Sequence, residues 1–195
     1  MEFSCSWWKT QILDYTIVKD CYITTRMNYS LVSLKTSKLN KNKIIQISNL
    51  KDSQWRFGIN SQIEWFKKNI KKNDIHNLLY LKFKLIGYTL LRRRSFNNNN
   101  KLKKRYLLFD TLVIHKDYRN KKLSNLLMIF NNTIIRETRL FSFLICKNDL
   151  VDFYKKYDWI KLNKKNIKVL DHPFSTNGML FNTSKIQKYY FYINK

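Results

Sequence analysis

Between residues 107 and 159 the chain puts two features able to do chemistry on one scaffold, an anion-binding turn and a tyrosine. A strand predicted over residues 105–114 runs into the polar turn His115-Lys116-Asp117-Tyr118-Arg119-Asn120, and a helix opens at Lys121 or Lys122. The first N–H groups of such a helix have no partner within it, and the positive end of its dipole faces forward, so phosphate fits in front of it. Arg119, Lys121 and Lys122 add cationic side chains, and Asn120 is the non-glycine residue best able to take a left-handed backbone. Tyr154 follows on a short helix predicted over residues 149–157, with Leu150, Phe153 and Tyr154 facing inward. The pair points to an enzyme that uses a phosphorylated cofactor.

The surrounding elements must hold these groups in place. Residues 43–48 are short and β-branched and read as a strand. Ser61 opens a helix, with Glu64 three residues on as in a capping box and Gln62, Trp65, Phe66 and Ile70 at helical spacing. Residues 78–83 and 85–92 read as an antiparallel hairpin, with Gly87 marking a close approach inside its second strand. The polar run 97–100, flanked by Arg92, Arg93, Arg94, Lys101, Lys103, Lys104 and Arg105, reads as a solvated hairpin tip, with nucleic-acid contact by its basic flanks as the alternative. After the basic turn, Leu123, Leu126, Leu127, Phe130 and Ile134 form one apolar helical stripe. Residues 141–146 are almost wholly apolar, as in a strand buried on both faces, and residues 167–170 and 179–182 read as closing strands. Residues 1–42 are taken as an N-terminal extension and 43–195 as one domain.

Composition bounds the function. A formal charge of +25 invites a polyanionic partner, because clustered Lys and Arg attract phosphate at long range. Here the lysines are scattered from Lys9 to Lys195 and alanine is absent, a bias that suits an A- and T-rich coding genome, so nucleic acid is possible but not favoured. Cys5, Cys21 and Cys146 show neither a disulfide framework nor metal-binding spacing, which implies a reducing compartment and no metal. No stretch is long and apolar enough for a membrane span, and the expected location is the cytoplasm. His76, His115 and His172 read as ordinary turn or surface histidines.

The segment from Ile114 to Ser124 resembles the Arg/Gln-x-x-Gly-x-Gly/Ala pyrophosphate loop of the GNAT superfamily of acyl-CoA N-acyltransferases, and it too begins from a strand. The segment from Asp149 to Trp159, with Phe153-Tyr154 and Asp158-Trp159, resembles the family's helix with Phe-Tyr followed by a Gly-Phe or Gly-Trp turn. The resemblance covers roughly residues 43–182. Lys122 and Ser124 replace the two loop glycines, and Asp158 stands where glycine usually ends the second helix.

What the resemblance implies is a mixed α/β fold, a mostly antiparallel central sheet splayed around an acyl-CoA site and flanked by helices. Acetyl-CoA would lie between the strand at 105–114 and that at 141–146, its amides paired by the backbone of Leu112, Val113 and Ile114. Its pyrophosphate would meet Arg119, Asn120, Lys121, Lys122, Leu123 and Ser124, and Asn148 stands near the family's asparagine. Tyr154 matches the family's tyrosine, which protonates the departing thiolate, and Asp110 occupies the strand position where many members place a glutamate base. The implied reaction is transfer of an acetyl group to a primary amine by direct attack in a ternary complex, the acceptor being a small molecule such as an amino sugar, or a peptide. The alternative is a non-catalytic basic module that binds nucleic acid or another polyanion.

Overall fold

A computed structural model describes residues 16–18, 22–24, 29–97, 103–163, 167–170, 177–183 and 189–192. Its centre is a nine-stranded sheet in the order β1-β2-β3-β4-β5-β6-β7-β10-β8. The strands are β1 (Thr16–Val18), β2 (Tyr22–Thr24), β3 (Tyr29–Lys35), β4 (Ile75–Leu81), β5 (Lys84–Asn97), β6 (Lys103–Ile114), β7 (Ser142–Cys146), β8 (Ile160–Lys161) and β10 (Asn177–Phe181). Residues 16–35, placed in the N-terminal extension by sequence, supply three strands of this sheet, and β3 pairs with β4 from Tyr29↔Leu81 to Lys35↔Ile75. Of the predicted closing strands, 167–170 is β9 (Ile167–Leu170), which pairs in parallel with β11 (Tyr189–Tyr192) in a separate two-stranded sheet.

Two helices cover each face. The face under α1 (Lys41–Asp52) and α2 (Ile59–Asn69) buries Val32, Ile47, Leu50, Leu78, Tyr88, Leu90 and Val113. The face under α3 (Leu123–Glu137) and α4 (Val151–Lys155) buries Ile86, Leu91, Leu107, Phe109, Leu127, Ile134 and Trp159. A buried polar triad fixes α3 on the sheet: Asn131 Oδ1 accepts from Asn77 Nδ2 and from Thr89 Oγ1, both at 2.9 Å. The network favours one docking geometry, because shifting α3 would strip the Asn77 amide and the Thr89 hydroxyl of their shared acceptor in the core, although Asn131 Nδ2 itself is unpaired.

Two local expectations are corrected. Residues 43–48 are helical rather than a strand. The Asn40 side chain accepts from the Lys43 N–H at 2.9 Å and caps α1, and Ile47, Leu50 and Lys51 then share its buried face. Packing of that face overrides the β-branched pair Ile44-Ile45. The second helix begins at Ile59 rather than Ser61, capped by Gly58 at φ +86°. The Gly58 N–H donates to Asp52 Oδ1 at 2.7 Å, so the connection from α1 is tied down without a capping box. At Gly87 the expected close approach of a neighbouring backbone is instead an approach of side chains: a Cβ there would lie 2.8 Å from Ile114 Cδ1 and 3.1 Å from Leu79 Cδ2.

Candidate active site at the parting of β6 and β7

Strands β6 and β7 form the parallel pair of the sheet, and their register holds only at Leu107↔Ser142 and Leu108↔Phe143. Beyond Leu108 they separate. A bulge in β6 drives the separation: Leu90 faces Thr111 and Leu91 faces Phe109, which leaves Asp110 as the extra residue. Bulges bend the strand that carries them and increase its twist. At the foot of the opening, Ser142 Oγ donates to the Leu107 carbonyl at 2.8 Å.

The far side of β6 is paired to β5, whose Ile86 carbonyl accepts from the His115 N–H at 2.8 Å. Backbone groups alternate along a strand, so those of Val113 face β5 and those of Leu112 and Ile114 face the wedge. The Ile114 carbonyl accepts from Arg119 Nε at 3.2 Å. Apart from that carbonyl, the wedge is an unpaired sheet edge, able to receive an extended chain that carries amides.

The chain then turns through a 3₁₀ segment, Lys116–Tyr118, into α3. Asn120 at φ +61° and Lys122 at φ +55° are both left-handed, so the turn adopts without glycine a backbone that glycine adopts most readily. The Lys122 carbonyl accepts from the Asn125 N–H at 3.0 Å, which leaves the N–H groups of Leu123 and Ser124 ahead of the helix. Arg119 bridges this turn to the α1–α2 connection through a hydrogen bond from Nη2 to Gln54 Oε1. Lys121 Nζ lies 5.5 Å from the centre of the Tyr118 ring, and Lys84 Nζ lies 5.2 Å from it. A cleft of about 260 Å³ beside the turn is lined by Gln46, Asn49, Phe83, Lys84 and His115.

Tyr154 lies where the strands part. Its ring meets Phe109 of β6 edge-on with centroids 6.1 Å apart, and it packs against Phe153 and Trp159. Burial, and then the neighbouring Cys146 at the end of β7, raise the phenol pKa well above the ordinary tyrosine value. The Cys146 thiol is pushed up to about 11, mainly by burial. Tyr154 is thus a phenol that keeps its proton. Asp158 is left-handed at φ +64°, in the position that ends the helix and returns the chain to Trp159. Asn148 accepts from Asn177 Nδ2 through its Oδ1 at 3.1 Å, joining the start of this helical segment to β10.

Asp110 points to the other face of the sheet. Its Oδ2 accepts from Arg92 Nη1 at 2.8 Å. Around that pair the fold assembles residues that carried no motif in the sequence. Lys51 Nζ sits 3.6 Å from the centre of the Trp65 ring, and the Arg92 guanidinium lies 5.6 Å from the same ring. Burial lowers the Lys51 pKa to about 8; the Asp110 carboxylate opposes that shift, and Arg92 adds to it by a smaller amount. Nearby, His76 bridges Thr36 Oγ1 at 2.9 Å and Tyr88 OH at 2.8 Å, and burial lowers its pKa to about 3. These groups come from α1, α2, β4, β5 and β6, and no spacing in the sequence marks them as neighbours. His172 lies outside the described residues.

No protein-family model matches the chain, and no curated protein matches it in sequence. Solved structures do. The chain is similar to Escherichia coli ElaA, with a TM-score of 0.58 and 14% identity, over 78% of this chain and 98% of that one. It is similar to an acyl-CoA N-acyltransferase from Pseudomonas aeruginosa, with a TM-score of 0.59 and 11% identity, over 78% and 98%. An aminoglycoside 6'-N-acetyltransferase complexed with coenzyme A is similar with a TM-score of 0.54 and 12% identity, over 76% and 94%. The chain has the GNAT fold. The mixed, mostly antiparallel sheet and flanking helices expected from the two sequence segments are those of this fold. Among the described residues, no helix is long and apolar enough to cross a membrane.

Proposed function

We propose that this GNAT-fold chain is an acyl-CoA-dependent N-acyltransferase that moves an acetyl group to a primary amine of a small molecule, such as an amino sugar, by direct attack in a ternary complex. The observation that carries this reading is the wedge, an unpaired parallel edge flanked on one side by a left-handed basic turn and on the other by Tyr154. The residues present fit the cosubstrate. Leu112 and Ile114 offer backbone groups to an extended amide chain, and the turn from Arg119 to Ser124 offers forward-facing N–H groups and cations to a pyrophosphate. Bound acyl-CoA supplies the activated thioester.

The chain's own groups do the rest. The Ile114 N–H, facing the wedge, polarises a carbonyl presented there. A free alkylamine is mostly protonated near neutral pH and must lose a proton before it attacks. Asp110, at the bulge, takes that proton directly or through water while Arg92 keeps its carboxylate in place. As the C–N bond forms and the C–S bond breaks, Tyr154 gives its proton to the departing sulfur and regains one through solvent as the new amide nitrogen sheds its extra proton; its raised pKa keeps the phenol protonated throughout the physiological range.

A thermal shift with acetyl-CoA, measured against CoA and ATP, tests the reading. Specific binding raises the melting temperature with rising ligand, and the rise survives an increase in salt from about 50 to 200 mM. No stabilisation at saturating acetyl-CoA sinks the proposal. A shift with every polyphosphate that collapses with salt supports the basic binding module instead, for which the +25 charge is the supporting observation.

A further inference from the structure

The face of the bulge under α1 and α2 holds more positive charge than its carboxylates neutralise. Lys51 is 8% exposed and Arg92 is 4% exposed, and both cations lie over the one indole of Trp65. Asp110 is the carboxylate that faces them, and its Oδ2 is taken by Arg92 Nη1. The next carboxylate, Asp74, accepts from the Arg94 side chain, the Arg93 N–H and the Lys71 N–H. From β4, His76 is neutral and contributes no negative charge. Arg92 Nη2 donates to the Asn69 carbonyl at 3.3 Å, but its buried Nε has no acceptor among the described residues. Nor does any oxygen among them accept from Lys51 Nζ.

Buried cations are ordinarily paired, because desolvation of a lone charge costs more than an aromatic face returns. Arg92 is paired with Asp110 and Lys51 with no oxygen among the described residues; around one ring, the spare donors Arg92 Nε and Lys51 Nζ suit an oxyanion arriving from outside. We infer that Lys51, Trp65 and Arg92 form a site for the oxyanion of the acceptor, a carboxylate or a phosphate ester, set beside the bulge at Asp110 where the acceptor's amine reacts. The inference rests on the acyl-transfer reading for the identity of the ligand and deepens it. The acceptor is an amine that also carries a negative group. Asp110 takes the amine end and the two cations take the other, so one molecule is oriented at both ends across the bulge.

Calorimetric titration at constant ionic strength tests the site, with sulfate standing for a phosphate ester and acetate for a carboxylate. Neither ion titrates between pH 7 and 9, whereas Lys51 does, facing Asp110, Arg92, His76 and the Trp65 ring. Saturable binding of one of the two ions is expected, about tenfold weaker at pH 9 than at pH 7 as Lys51 loses its proton. Lys51→Met should weaken it at least tenfold at pH 7, and Lys51→Arg should retain it and abolish the pH dependence. Sulfate binding alone identifies a phosphorylated acceptor, and acetate binding alone a carboxylated one. The inference is overturned by the absence of saturable binding, or by equal binding in Lys51→Met. It is also overturned by affinity that stays flat to pH 9, which marks ordinary surface lysines. Acetyl-CoA stabilisation, measured on the same variants, separates the two readings. Its loss with oxyanion binding intact removes the acyl-transfer reading and leaves the site standing.

Discussion

At the bulge the two faces of the sheet are chemical opposites. Under α3 and α4, Tyr154 stands among Phe109, Phe153 and Trp159, with the thiol of Cys146 nearby. Under α1 and α2, Lys51 and Arg92 lie over Trp65, Arg92 is paired with Asp110, and the buried His76 lies nearby. The first face controls a proton by exclusion, since burial, with Cys146 adding to it, holds the phenol in its neutral form. The second adds charge to burial: Arg92 is paired with Asp110, and Lys51 and His76, shifted first by burial, also feel the charges beside them. On the proposed reading, a donor common to many enzymes is handled by backbone edges and a shielded phenol, whereas a particular acceptor has to be recognised by side chains.

Four measurements sharpen or break that contrast. Tyr154→Phe should lower turnover by about 10- to 10³-fold with acetyl-CoA affinity unchanged, as expected for loss of a general acid. Equal turnover would reduce the tyrosine to packing and erase the difference between the faces. On the charged face, His76 is neutral in the fold with a pKa near 3, against an ordinary value of 6.5. The folded state resists a proton that the unfolded chain accepts, so stability is complete above pH 6.5 and falls as pH drops toward 3. By pH 5 the loss should be about 2 kcal/mol, seen as a lower urea midpoint in the wild type that His76→Gln does not share.

Lys51→Met should stabilise the fold at pH 7 by about 1–2 kcal/mol, less than the full desolvation cost because the indole face returns part of it. With a folded pKa near 8 and an ordinary one of 10.5, the penalty is complete below pH 8 and is relieved as pH rises toward 10.5. The gap in melting temperature between wild type and variant should therefore narrow by pH 10; a constant gap assigns it to packing. Smallest is Lys122→Gly, which should stabilise by about 1 kcal/mol by relieving the left-handed backbone at φ +55°. A destabilised variant would show that the Lys122 side chain, rather than its backbone, shapes the turn between the faces.

The half of the fold that runs from β6 to α4 was legible because its signals are local. An apolar run, a basic turn and a helical stripe follow one another without interruption, and the left-handed residue at 120 is an asparagine. Helix α1 was misread because Ile44-Ile45 carries a β-like local signal, while the face that decides the matter, Ile47 and Leu50, acquires meaning only against β5 and β6. The bulge at Asp110 leaves no trace in the sequence, since one extra residue in a strand looks like any other. Lys51 and Arg92 looked like two of 38 basic residues and became a pair only when helix and sheet were assembled.

The hydroxyl that Ser142 places on the Leu107 carbonyl sits at the point where two zipping strands stop. With the bulge just above it, it acts as the stop on a zip fastener: the length of open edge is set by the chain before any ligand arrives. A guest strand then meets a slot of fixed depth rather than prising one apart, and the ordering that binding would otherwise demand has been met during folding.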